Sequence, residues 1–208
     1  MAATKLGLYN AALRLIGERS LASLTENREP RRVLDEVYDA ALGFCLEQGQ
    51  WNFAGRSIQP AASATIDPGF GYANAFAKPS DWVRTMAVCQ DEYFRAPLLA
   101  YTDEAGYWWS DADDIYIRYV SNGASYGGDL SKWPASYQKF VELYLATEIC
   151  PRVTSSESKA EVLKRDMRRT LLEAKNKDAM NEATTMLPAG SWVRSRTASF
   201  PGRRYDRG

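Results

Sequence analysis

Four parts of the chain carry apolar residues at the spacing of three and four that an α-helix places on one face. In the first part Leu6, Tyr9, Leu13 and Ile16 form such a stripe, and Gly17 suits the C-terminal end of that helix. The same period recurs further along the chain. It predicts helices over residues 3–17, 29–48, 134–150 and 155–182.

Prolines and a capping motif predict where the later helices begin and end. Pro30 fits the first turn of the second helix, whose apolar face is expected to include Phe44. Pro151 is expected to stop the third helix, because a proline ring clashes with the preceding helical turn. The run Thr154-Ser155-Ser156-Glu157 predicts a capping box with Thr154 as the N-cap of the fourth helix.

Between residue 51 and about residue 128 the helical period disappears, and glycine, proline and aromatic residues become frequent. The segment 82–88 has a period of two, and the segment 115–120 is rich in β-branched and aromatic residues, which predicts two strands. Residues 53–59 and 94–101 are weaker strand candidates. We expect a small antiparallel sheet of about three to five strands, with a long excursion over residues 60–80.

These patterns together predict an α+β fold that is mainly helical. Residues 1–50 and 130–184 are expected to form a four-helix bundle, into which residues 51–129 are inserted as an antiparallel β-rich part. Residues 185–208 are expected to form an extended C-terminal arm, because glycine and proline interrupt any periodicity there.

Composition narrows the chemistry that the chain can perform. The 26 basic and 26 acidic residues cancel, and there is no histidine, which removes the usual general base and the usual zinc ligand. The cysteines Cys45, Cys89 and Cys150 are widely spaced, so each is expected to be a small buried apolar residue. The glycines form no phosphate-binding loop. We therefore expect no enzyme activity, no cofactor and no metal.

Acidic residues leave two further hypotheses to weigh. Asp111, Asp113 and Asp114 resemble part of a cation loop, but the spacing of a calcium-binding loop is absent, so an exposed loop is expected. Paired carboxylates such as Glu18 and Glu36 invite comparison with glycoside hydrolases, although sequence spacing cannot give their separation. No signal peptide and no apolar run of about 18 residues are seen, so no membrane contact is expected.

Tyr107, Trp108 and Trp109 are three adjacent large aromatic residues in what the sequence suggests is a loop. Two interpretations stay open for them. They either contribute to the core and its rim, or they anchor an interface with another subunit or protein, because aromatic residues concentrate at the centres of interfaces.

The arm combines cationic and aromatic side chains. Residues 189–208 hold five arginines against one acid. Its candidate docking residues are Trp192, Arg194, Arg196, Phe200, Arg203, Arg204, Tyr205 and Arg207. Such a segment can bind nucleic acid, with arginines on the phosphates and aromatic rings stacked on the bases. It can also dock on an acidic protein surface, or it can be a disordered end.

Several segments, in order, resemble one family. They are the run from Tyr9 to Gly17, then Ser23-Leu24-Thr25, then a helix ending in Trp51-Asn52-Phe53-Ala54, then the run from Lys78 to Arg84, and then Trp133-Pro134 opening a helix. Together they are similar to the head-to-tail adaptor proteins of short-tailed phages, the tail tubular protein A group. The resemblance covers roughly residues 5–183, and the arm is not matched.

The resemblance implies a structural virion protein that forms a homo-oligomeric ring, typically of about twelve copies, under the portal of the capsid. It implies that the ring extends the DNA channel without sequence-specific contact and receives a tail nozzle similar to tail tubular protein B. The location would be the virion, at the head-tail junction, and the host cytoplasm during assembly. The arm would dock on the portal. Alternatives are a nucleic-acid-binding module that uses the arm and a virion-associated cell-wall hydrolase, for which no residue can be carried over.

Overall fold

The computed structural model describes residues 3–66 and 71–181. The described residues contain four helices: α1 (Lys5–Ile16), α2 (Glu29–Glu47), α3 (Ala135–Thr154) and α4 (Glu157–Met180). Helix α3 packs against each of the other three. Buried side chains from all four helices form one core, to which Trp51 and Ala54 also belong.

The ends of α1 follow the signals in its sequence. The Thr4 hydroxyl accepts a hydrogen bond from the Gly7 amide at 3.1 Å and so caps the first turn. Gly17 adopts the left-handed conformation, with φ of 83°, and its amide bonds back to the carbonyls of the last turn. The predicted first helix is therefore confirmed to within a residue or two at each end.

The predicted junction between α3 and α4 is wrong in two respects. Helix α3 continues through Pro151 to Thr154, because a proline in the last turn removes only one hydrogen bond. The Thr154 hydroxyl donates to the Cys150 carbonyl at 2.8 Å, so this residue belongs to α3. Ser156 is the N-cap of α4 instead, after Ser155 has turned the chain through a positive φ.

The prediction that Phe44 belongs to the buried face of α2 is also wrong. Phe44 is 41% exposed, whereas Val33, Ala41 and Cys45 are buried. Its ring stacks on Tyr144 of α3 at 4.8 Å between ring centroids. The side chain therefore covers the edge of the core.

Within the described residues, six strands form two three-stranded antiparallel sheets, where the sequence suggested one. The strands are β1 (Gly55–Ile58), β2 (Asn74–Ala77), β3 (Trp82–Cys89), β4 (Tyr101–Glu104), β5 (Tyr107–Ser110) and β6 (Tyr116–Ser121). The first sheet has the order β1-β6-β3 and the second has the order β2-β5-β4. Of the weak candidates, 53–59 contains β1, whereas 94–101 supplies only the first residue of β4. The expected excursion contains β2.

The first sheet lies between the helices and the second sheet. Val120 of β6 belongs to the helical core. Its neighbours Ile117 and Tyr119 belong to a second core, which they share with Phe76 and Trp108 of the second sheet. Because side chains alternate along a strand, β6 serves both cores. The α+β class, the four helices and the antiparallel pairing are confirmed for the described residues.

Candidate functional site

The Tyr107-Trp108-Trp109 segment is a strand, β5, and not the loop that the sequence suggested. It is the central strand of the second sheet and pairs with β2 on one side and β4 on the other. Trp108 is fully buried, and Tyr107 and Trp109 on the opposite face are half-buried. The run divides its side chains between the two faces because residues in a strand alternate.

Trp108 belongs to a polar cluster that joins the two sheets. Its indole N–H donates to Thr85 Oγ1 at 3.0 Å, and the indole of Trp82 donates to the same oxygen at 3.1 Å. The Thr85 hydroxyl donates to Asp103 at 3.0 Å. Lys78 pairs with the other oxygen of Asp103 and holds its ammonium 3.6 Å from the Trp82 ring centre. The Trp108 side chain is therefore used inside the subunit, as the core interpretation has it, and the interface interpretation stays a prediction for the segment.

The outer face of the second sheet presents Tyr107 and Trp109. Their ring centroids lie 5.8 Å apart, and the Trp109 indole donates to the Glu104 carbonyl at 3.2 Å. Ala75 and Ala77 pair with Trp109 and Tyr107 on β2, and Ala75 is itself buried at this face. The two rings thus form a fixed aromatic surface that points away from both cores.

Acidic residues flank these rings in the sequence. Residues 103–114 contain five acids and no base. Asp111 accepts a hydrogen bond from the Ala73 amide, and Asp114 accepts one from Gln59. The exposed carboxylates of Glu104 and Asp113 make no hydrogen bond or ion pair within the described residues. We call Tyr107 and Trp109, with Glu104, Asp113 and Asp114, the acidic-aromatic surface.

A second apolar surface lies on the helices. Leu15 of α1 and Val162 of α4 are 44% and 47% exposed, and they line a pocket of about 280 Å³. Lys159 crosses this junction and donates to the Ile16 carbonyl at 3.3 Å. Sequence analysis did not single out Leu15 or Val162.

Residues in the segments that carry the family resemblance make hydrogen bonds that join neighbouring parts of the fold. The Asn10 amide exchanges two hydrogen bonds with the backbone of Leu21, at 2.7 and 3.1 Å. The indole of Trp51 donates to the Cys45 carbonyl at 3.1 Å, and that of Trp133 donates to the Gly127 carbonyl at 2.9 Å. Asn10 thus holds the segment after α1 against the middle of that helix, Trp51 ties its segment to the end of α2, and Trp133 ties the start of α3 to the preceding turn.

Asp81 is a charged joint, that is, a carboxylate that connects neighbouring strands through hydrogen bonds, and sequence analysis did not single it out. Its carboxylate accepts hydrogen bonds from Arg56 at 2.8 Å, Tyr119 at 2.9 Å and Ser121. Burial favours a higher pKa for Asp81, but these three donors outweigh it and hold the pKa below its ordinary value. Its sequence signals were its position just before a strand and its place in the resembling run from Lys78 to Arg84.

The end of α4 lies beside the start of β1. Asp178 accepts a hydrogen bond from the Asn52 amide at 3.0 Å, and the Asn52 side chain donates to the Asp178 carbonyl at 3.1 Å. At the other end of β1, the Gln59 amide donates to Asp114 at 3.1 Å. Strand β1 therefore connects the point where α4 ends to the acidic-aromatic surface.

The predicted docking residues of the arm, from Trp192 to Arg207, lie outside the described residues. Within residues 3–66 and 71–181 no three histidine, cysteine or acidic side chains are grouped so that they could hold a metal ion. No helix in the same part of the chain has the length and apolarity needed to cross a membrane. The three cysteines are buried, as predicted. No family model matches the chain, and no curated protein matches it.

Proposed function

We propose that the protein is a structural head-to-tail adaptor whose copies form a ring below the portal of a phage capsid. The observation that carries this proposal is the pair of chemically different exposed surfaces, one apolar on α1 and α4 and one acidic and aromatic on the second sheet. A closed ring repeats one heterologous contact, in which two different faces of neighbouring copies meet. A subunit with two unlike surfaces is suited to that contact.

The ordered resemblance to the tail tubular protein A group supports the same proposal. Asn10, Trp51, Asp81 and Trp133 from the resembling segments fix joints of the fold. We propose that residues 1–50 and 130–184 act as a four-helix bundle and residues 51–129 as its β-rich insert. In the ring these would extend the DNA channel, without sequence-specific contact, and receive the tail nozzle.

We assign attachment to the portal to the arm. Its five arginines can form paired hydrogen bonds with carboxylates, while Trp192, Phe200 and Tyr205 fill pockets. An arm of about 20 residues can span at most about 70 Å. That reach is enough to contact a protein above the ring.

Deleting residues 189–208 is expected to abolish attachment to portal-bearing capsids, because the deletion removes the anchors and leaves every described contact in place. Cosedimentation of purified protein with capsids measures attachment, and circular dichroism checks the fold. A variant with the five arginines changed to glutamine keeps the length of the arm and removes its charge. It therefore shows whether attachment depends on the charge of the arm or on its length. Equal attachment of the truncated and full-length chains would show that the arm is not the docking element.

The same experiment separates the adaptor from a nucleic-acid-binding module, which the arginine-rich arm also suits. A DNA-binding arm would bind duplex DNA without capsids, with an affinity that falls steeply as salt rises. An adaptor arm would instead require the portal. Binding to DNA alone with no capsid attachment would favour the module.

Trp109→Ala is expected to weaken ring formation about 30-fold, the effect of removing an aromatic anchor worth about 2 kcal/mol at an interface. Sedimentation velocity across a concentration series measures the shift. Tyr93→Ala is a matched control, because Tyr93 is an aromatic residue that is 69% exposed and lies outside the second sheet. Identical assembly of the two variants would exclude Trp109 from the ring contact.

A further inference from the structure

Although the net charge of the chain is zero, the chain contains two oppositely charged segments. Residues 103–114 hold five acids and no base, and residues 189–208 hold five arginines and one acid. Lys78 neutralises Asp103, but the carboxylates of Glu104 and Asp113 make no hydrogen bond or ion pair within the described residues. The chain thus contains an anionic surface and a cationic segment of similar size.

The chemistry of the two segments is complementary in more than charge. An arginine guanidinium stacks on tryptophan and tyrosine rings and donates to carboxylates in its own plane. Tyr107 and Trp109 supply such rings. Glu104 supplies a carboxylate opposite Tyr107, and Asp113 supplies another three residues after β5 ends. The acidic-aromatic surface therefore suits an arginine-rich segment better than it suits an apolar or acidic one.

The position at which α4 ends places the arm within reach of this surface. Asp178 contacts Asn52, and Gln59 contacts Asp114. The seven steps along the chain from residue 52 to residue 59 span at most about 25 Å. A flexible segment the length of residues 182–193 has a root-mean-square span of about 20 Å, and about 40 Å when fully extended. A tether that matches the gap gives a high effective concentration, which favours the arm of the same copy over that of another.

We propose that residues 189–208 of the arm bind the acidic-aromatic surface of their own chain before assembly. The consequence for assembly rests on the adaptor function proposed above. Because the same surface is assigned to the ring contact, the bound arm blocks that contact in the free chain. Ring formation then displaces the arm and makes it available to the portal. One contact thus links the two assembly steps.

Photo-crosslinking of the full-length chain tests this proposal directly. The photoreactive residue p-benzoylphenylalanine replaces Thr102, which is exposed and pairs with Trp109 on the outer face. Equal amounts of ¹⁴N- and ¹⁵N-labelled protein are mixed at low salt and irradiated, and the crosslinked peptides are identified by mass spectrometry. We expect peptides from residues 189–208 joined to the β4 peptide, with both partners carrying the same isotope. The control places the photoreactive residue at exposed position 93.

Charge-reversal variants test whether the contact is electrostatic. Glu104→Lys with Asp113→Lys is expected to reduce the crosslink at least tenfold. Adding Arg203→Glu and Arg204→Glu is expected to restore it. Glu161→Lys with Asp166→Lys reverses two exposed acids on α4 and is expected to leave the crosslink unchanged. Raising the salt to 1 M shortens the screening length to about 3 Å and is expected to remove the crosslink.

The outcomes separate this proposal from the adaptor function. Mixed-isotope pairs would overturn it, because they place the arm on another copy. Absence of arm peptides, or equal yield from position 93, would overturn it as well. If the same-isotope crosslink is present but no ring forms at any concentration, the adaptor proposal fails and the arm contact stands. If rings form at high concentration but the unassembled chain at low concentration gives no crosslink, only the arm contact fails.

Discussion

Trp108→Ala is expected to lower the free energy of unfolding by about 3–5 kcal/mol, which is typical of truncating a buried tryptophan. The Trp108 side chain is 0% exposed and lies in the core between the two sheets with Phe76, Ile117 and Tyr119. Removing it also takes one of the two indole donors from Thr85. The cavity and the lost hydrogen bond both destabilise the contact between the sheets.

Urea unfolding followed by circular dichroism measures this effect, with Trp109→Ala as the matched control on the adjacent residue. Trp109 lies on the outer face and is half-buried, so its truncation is expected to cost less than about 1.5 kcal/mol. Trp108→Phe keeps a ring in the core and is expected to fall between the two. Equal losses for both alanine variants would contradict the opposite orientations of the two indoles.

The contrast between these neighbours shows what sequence alone could supply. Alternation along a strand would have placed Tyr107 and Trp109 on one face and Trp108 on the other, had the segment been recognised as a strand. Which face is inward depends on the packing of β3 and β6 beneath the second sheet. That packing joins segments distant in sequence, and no local pattern encodes it.

The helices were predictable because a 3.6-residue period is a local signal that recurs over several turns. The ends of the helices were less predictable. Pro151 was expected to stop α3, but in the last turn its missing amide removes one hydrogen bond only. Thr154 and Ser156 offer similar hydroxyl groups for capping, and the turn at Ser155 selects Ser156. Competition between equivalent caps cannot be resolved from residue types.

The candidate site was predictable only in part, for the same reason. The acids of residues 103–114 were visible in the sequence, as were the aromatic residues beside them. The placement of Glu104 on the same face as the two rings depends on the pairing of β4 with β5. The apolar surface formed by Leu15 and Val162 requires α1 and α4 to meet, although about 145 residues separate them.

Asp81→Ala is expected to lower the free energy of unfolding by about 2–3 kcal/mol at pH 7. Breaking a buried charge pair typically costs about 3–5 kcal/mol, and the partial exposure of Arg56, at 37%, reduces that figure. The substitution leaves the Arg56 guanidinium and the Tyr119 and Ser121 hydroxyls without their shared acceptor. These donors lie on β1 and β6, so the effect falls on the first sheet, between the two cores.

The difference in stability between Asp81→Ala and the wild type is expected to depend on pH. The pKa of Asp81 is lowered in the folded chain, mainly because the Ser121, Arg56 and Tyr119 hydrogen bonds outweigh its burial. A carboxylate whose pKa is lowered on folding contributes its full stabilisation above the pKa of the unfolded chain, which is about 3.9 for aspartate. That contribution is lost as the pH falls through the pKa of the folded chain. The destabilisation should therefore be largest at neutral pH and should shrink below about pH 4.

Urea unfolding of both chains at pH 7 and pH 3 measures this dependence, and the difference between the chains cancels the titration of other acids such as Asp35. Asp81→Asn preserves the size of the side chain and removes its charge. Its stability is expected to lie between those of the other two chains at pH 7, because an amide oxygen still accepts from Tyr119 or Ser121. If the alanine variant were equally destabilised at both pH values, the loss would come from packing, and the charged joint between β1, β3 and β6 would not be a stabilising element.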